Sequence, residues 1–95
     1  MASKTHDHPT AHPMPALACD CHVHVFDPKR FAYAQARRFT PGEATAVQLQ
    51  SHLNDVGIQR VVLVQPSVYA EQNNCLLNAL LTLGRRARGV AVVSA

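Results

Sequence analysis

Residues 60–65 read Arg-Val-Val-Leu-Val-Gln, and Pro66 closes them. A short, continuous, β-branched run of this kind suits a strand with both faces covered, as in a parallel sheet. Parallel neighbours need long crossovers, usually helical, so helical segments should flank the run. The chain supplies them. Ala46, Leu49, Leu53 and Val56 fall at 3-4-3 spacing behind Thr45, a suitable N-cap, and Gly57 is placed to end that helix. A second helix is predicted over 73–83, with a stripe of Leu76, Leu77, Leu80, Leu81 and Leu83 and a stop at Gly84. A third strand of the buried type follows over 88–93. At the other end, residues 17–26 contain a period-two stretch in which Cys21, Val23 and Val25 alternate with Asp20, His22 and His24. Asp27-Pro28 stops it, and about 18 residues without a clear period follow; a loop of that length tends to be functional or disordered. The order is β-loop-α-β-α-β, a parallel α/β pattern.

Residues 1–15 form a polar segment punctuated by Pro9, Pro13 and Pro15, expected to be a disordered tail. The folded part is expected over 16–95. The tail lacks the apolar core of a secretory signal. No apolar run approaches the roughly 20 residues of a bilayer span, so no membrane role is expected. Three cysteines give no disulfide framework and fit a reducing cytoplasm. The net charge of +3 is modest and only five aromatic residues are present, which argues against a nucleic-acid surface.

Histidine is the compositional anomaly: six in 95 residues, of which His6, His8 and His12 lie in the tail. His22 and His24 are the chemically suggestive pair. Two apart on a strand, they share a face with Cα atoms roughly 6.6 Å apart. Two imidazoles at that separation can converge on one ion, each at about 2.0–2.1 Å. They end a strand, where parallel α/β proteins place their sites. Asp20 is expected on the same face, where it could orient a ring. His52 lies off the stripe of its helix and reads as solvent-facing rather than as a third ligand. Cys19 and Cys21, on the opposite face of a regular strand, read as packing residues, and Cys75 as a small buried one.

Asp20-Cys21-His22-Val23-His24-Val25-Phe26-Asp27 resembles the first-strand motif of the amidohydrolase superfamily. Phe31-Ala32-Tyr33, Arg38-Phe39-Thr40-Pro41-Gly42 and Val64-Gln65-Pro66-Ser67-Val68-Tyr69 resemble more specifically its amidohydrolase-2 branch, near the 2-pyrone-4,6-dicarboxylate lactonase-like hydrolases. The resemblance runs from Ala18 to Ser94. It implies a (β/α)₈ TIM barrel with its site at the strand C-termini, and a hydrolase acting on a lactone or similar carbonyl bond of a small carboxylate-bearing molecule. It implies catalytic and metal-binding roles for His22 and His24, a substrate contact at Ser67 and another at Tyr33. The implied cofactor is a divalent metal, commonly zinc, although some members of the lactonase branch keep the pair and work without one. Arg37 and Arg38 read as solvated loop residues rather than as an anion funnel.

A complete barrel takes about 250 residues. The chain is therefore expected to be the N-terminal portion of such a barrel, three parallel strands and two helices, and to be inactive alone. The same residues leave open two other readings. One is a small metal-binding module using His6, His8, His12, Cys19, Cys21, His22 and His24. The other is an interaction fragment that completes a split barrel.

Overall fold

The computed structural model of the chain describes residues 14–94. Most of the tail expected over 1–15, with His6, His8 and His12, lies outside the described residues. The elements are β1 (Cys19–Val23), α1 (Ala46–Val56), β2 (Arg60–Val64), α2 (Asn74–Leu83) and β3 (Ala87–Val90), with single 3₁₀ turns at Ser67–Tyr69 and Gly84–Arg86. All strands are parallel in the order β1-β2-β3. The expected β-α-β-α-β pattern is present, and every strand ends at the same side of the sheet.

β2 is central because its alternate side chains, Val61 and Leu63, vanish into the layer beneath the helices, at 1% and 0% exposure. Leu49 and Leu53 from α1, and Cys75, Leu76, Ala79 and Leu83 from α2, close over them in one cluster. α1 forms as its sequence predicts. Thr45 and Gln48 make a reciprocal capping box, and Gly57 takes φ 78°, a left-handed conformation that suits glycine. Replacing Thr45 with alanine removes the acceptor for the Gln48 N–H, and should cost about 1 kcal/mol in a urea titration.

α2 departs from its predicted stripe. Leu77 and Leu81 are 55% and 83% exposed, and the buried positions are Cys75, Leu76, Ala79 and Leu83. A helix that is apolar nearly all round still has only one face toward this core. β3 is also displaced from the expected 88–93. After Val90, whose carbonyl accepts from the Gln65 N–H, the Asn73 carboxamide binds the backbone of Val92 at both its C=O and N–H, drawing the chain out of the ladder.

β1 is shorter than the predicted 17–26 and is bulged. Asp20 is in register with Val61, but Val23 with Leu63, so β1 holds one residue more than β2 over that interval. The alternation expected from the sequence is therefore broken between Asp20 and His22. Paired residues of neighbouring strands share a face, which puts Asp20 on the helix-covered side with Val61 rather than beside the histidines. Cys21, in the bulge, is exposed instead of packed, and Cys19 is half-buried.

The long segment 25–44 has little regular structure but is anchored repeatedly. Phe26 and Ala44 exchange backbone hydrogen bonds at 2.8 Å, closing the loop at its base. The Ala34 N–H reaches the Val68 carbonyl, and Phe31 and Tyr33 pack against the core.

Candidate active site

His22 and His24 stand side by side where β1 ends, with ring centroids 5.1 Å apart and planes at 88°. Their settings differ. His22 is exposed, and its backbone N–H donates to Asp20 Oδ1 at 3.4 Å, so Asp20 supports the bulge and orients no ring. His24 is half-buried, with Nδ1 2.8 Å from the carbonyl oxygen of Val64, the last residue of β2. A carbonyl only accepts, so Nδ1 carries the proton in this contact and Nε2 keeps its lone pair in the neutral ring. The sheet itself thus sets the tautomer and orientation of His24, as carboxylates or carbonyls do for metal-ligating histidines.

Ser67 opens the 3₁₀ turn three residues beyond Val64 and is exposed at the same end of the sheet. Tyr33 is placed differently from the other candidates. Its hydroxyl donates to the Pro41 carbonyl at 3.0 Å, and its ring meets Tyr69 at 5.2 Å and Phe26 at 6.4 Å. Burial pushes its phenol up from the ordinary value. Phe26 in turn lies 5.9 Å from His24, so Tyr33 connects to the histidines through one intervening ring. Arg37 is bound into its own loop through Thr40 Oγ1 and the Ala34 carbonyl. His52, on α1, is half-buried.

Three further residues shape this end of the sheet and were not singled out by sequence reasoning. Asp27 is 5% exposed; its carboxylate accepts from Arg30 Nε at 2.9 Å. Its backbone N–H donates to the hydroxyl of Tyr69, itself 2% exposed. Gln65 is a second buried polar residue, at 5%. For Asp27 and Gln65 the available signal was a polar residue abutting a buried strand and a proline, Asp27-Pro28 and Gln65-Pro66.

The cysteines give a direct check on burial. Cys75 is 3% exposed, and desolvation pushes its thiol up from the ordinary range, which lowers the thiolate fraction at any given pH. Iodoacetamide should label Cys21 in the native chain and leave Cys75 unmodified until denaturant is added, as read by mass spectrometry.

Parallel strands with helices behind, and paired imidazoles at the strand C-termini, define a parallel α/β scaffold with its candidate site at the strand ends. The Amidohydrolase family model matches residues 19–95, and the chain belongs to that family. It is 38% identical over 81 residues to the 2-pyrone-4,6-dicarboxylate hydrolase of Comamonas testosteroni, covering 84% of this chain and 27% of that protein. It is 32% identical over 83 residues to the 4-sulfomuconolactone hydrolase of Rhizobium radiobacter, covering 86% and 28%. Among solved structures it matches a probable 2-pyrone-4,6-dicarboxylic acid hydrolase of Acinetobacter baumannii with citric acid bound. The TM-score is 0.74 at 36% identity, over 80% of this chain and 28% of that one. The chain thus spans little more than a quarter of each relative, and its fold is the opening three strands and two helices of the (β/α)₈ barrel.

Proposed function

We propose that the chain supplies the first- and second-strand part of the active site of a lactone hydrolase whose substrate is a small carboxylate-bearing molecule. The observation that carries this reading is the 2.8 Å contact from His24 Nδ1 to the Val64 carbonyl, with His22 alongside. It leaves Nε2 of His24 as a fixed acceptor at the strand end, beside a second imidazole. The relatives' names support the substrate class, since both describe hydrolases of ring compounds bearing acidic groups.

In this reading, His22 and His24 face the scissile carbonyl, and Ser67 holds a substrate oxygen with its exposed hydroxyl. Tyr33 shapes the floor of the first loop. Its hydroxyl would have to leave the Pro41 carbonyl to meet a substrate carboxylate. The donor set also suits a divalent ion of borderline softness such as zinc: two imidazoles, one already oriented by its second nitrogen. Among the described residues no group of three or more His, Cys, Asp or Glu is gathered, so His22 and His24 would be its ligands from this chain. Such an ion, when bound, supplies carbonyl polarisation and a more acidic water. With or without it, His24 contributes the same thing, an Nε2 lone pair held in place by β2.

The test compares two proteins: the 95-residue chain, and a chimera in which residues 19–94 replace the matching segment of the Comamonas relative. Hydrolysis of 2-pyrone-4,6-dicarboxylate is expected from the chimera and absent from the chain alone. A folded chimera inactive on both that lactone and 4-sulfomuconolactone would refute the reading. So would turnover by the chain alone that survives loss of both histidines.

A further inference from the structure

The turn that carries Ser67 is held by an unusual arrangement. Ala70, which ends it, has φ 49° and ψ −125°, and it is the only non-glycine residue with positive φ among the described residues. A residue with a Cβ persists in such a conformation only when its surroundings over-determine it. The surroundings here include the carboxamide of Gln65. Its Nε2 donates to the carbonyl oxygens of Ala70 and Gln72, both at 3.0 Å, spanning the turn from inside. The turn's own N–H groups, of Tyr69, Ala70 and Gln72, close onto Pro66, Ser67 and Tyr69.

The same carboxamide leaves Oε1 buried with no partner among the described residues. Two carbonyl oxygens dictate the orientation of the amide, because the flipped form would set three acceptors against one another and orphan the NH₂ instead. A buried polar group left half-satisfied is costly, and an apolar side chain of similar size would avoid that cost. What an apolar residue would not do is hold Ala70.

We infer that Gln65 is a positioning residue for Ser67. Its carboxamide clamps Ala70 in the strained conformation and so fixes the turn that presents the Ser67 hydroxyl, three residues beyond the carbonyl that orients His24. The inference rests on the proposed substrate contact at Ser67 only for its functional meaning; the clamp itself is a conformational property of the chain.

The experiment is amide exchange and backbone shifts by NMR on the full chain in three forms: wild type, Gln65→Met, and Gln65→Met with Ala70→Gly. Loss of the clamp should accelerate exchange at Ala70 and Gln72 at least about tenfold and shift Ser67, while Leu53 and Leu63 keep their protection. Glycine at 70 adopts the required backbone without help, so the double variant should return the Ser67 shifts toward wild type. A Gln65→Met chain with unmoved Ser67 shifts, or a double variant no closer to wild type than the single one, overturns the inference. If Gln65→Met fails to fold, Ala70→Gly alone decides. Unchanged Ser67 shifts with a higher melting temperature support the clamp, and displaced Ser67 shifts or a lower melting temperature refute it. None of these readouts depends on hydrolysis. A chimera that fails to turn over lactone would therefore refute the function and leave the clamp standing.

Discussion

Replacing His24 with alanine in the catalytically complete chimera is expected to reduce lactone hydrolysis by roughly 10²–10⁴-fold, the range for removing a positioned acid–base or polarising group. The loss has two separable parts, because the ring does two jobs. Nδ1 ties the end of β1 to the end of β2 through the Val64 carbonyl, and Nε2 keeps its lone pair. An asparagine carboxamide reaches about as far as Nδ1, so His24→Asn should keep the inter-strand tie and much of the stability while remaining as inactive as His24→Ala. A glutamine carboxamide reaches about as far as Nε2, so His24→Gln should lose the tie. His22, exposed and without a ring partner of this kind, should tolerate substitution with little change in melting temperature, yet its alanine variant should also be slow. A His24→Asn protein retaining near wild-type turnover would show that Nε2 plays no part.

The largest stability effect is expected at Tyr69. Its hydroxyl accepts the buried N–H of Asp27, and its ring packs on Tyr33, joining the turn after β2 to the loop after β1. Tyr69→Ala removes a fully buried aromatic side chain and should cost about 3–5 kcal/mol. Domains of this size have only about 5–15 kcal/mol in all. Tyr69→Phe keeps the ring but leaves the Asp27 N–H unpartnered, for about 1–3 kcal/mol. Burial raises the Tyr69 phenol above its usual value of 10.0, with the Asp27 N–H opposing the shift. The folded state therefore binds the phenolic proton more tightly than the unfolded state does. That part of the stability is present below pH 10 and is lost as pH climbs above it. Urea titrations across the alkaline range should show this loss in the wild type, and a smaller one in Tyr69→Phe.

The layout of strands and helices was legible because each element announces itself locally. The apolar run of β2, the Thr45–Gln48 cap and the Gly57 stop are all near-neighbour chemistry. The His22–His24 pair was legible for the same reason. What lay hidden depends on contacts distant in sequence. A bulge reversed the expected placement of Asp20 and brought Cys21 to the surface, and period-two reading has no way to register an inserted residue. The exposure of Leu77 and Leu81 follows from where α2 meets the sheet, not from its composition. The carbonyl that orients His24 belongs to a residue 40 positions away. It is a backbone atom, and any residue at 64 would supply it. Gln65 and Asp27 carried only the faint signal of a polar residue beside a proline at a strand end.

At the centre of the account stands a histidine whose tautomer is set by the neighbouring strand. A long-range ¹H–¹⁵N correlation spectrum of the chain, recorded in mildly alkaline buffer, reads it directly. His24 should appear as a single tautomer protonated at Nδ1, its Nε2 signal that of an unprotonated nitrogen, while His22 averages between the two forms. A spectrum showing His24 protonated at Nε2, or averaging as His22 does, would contradict it.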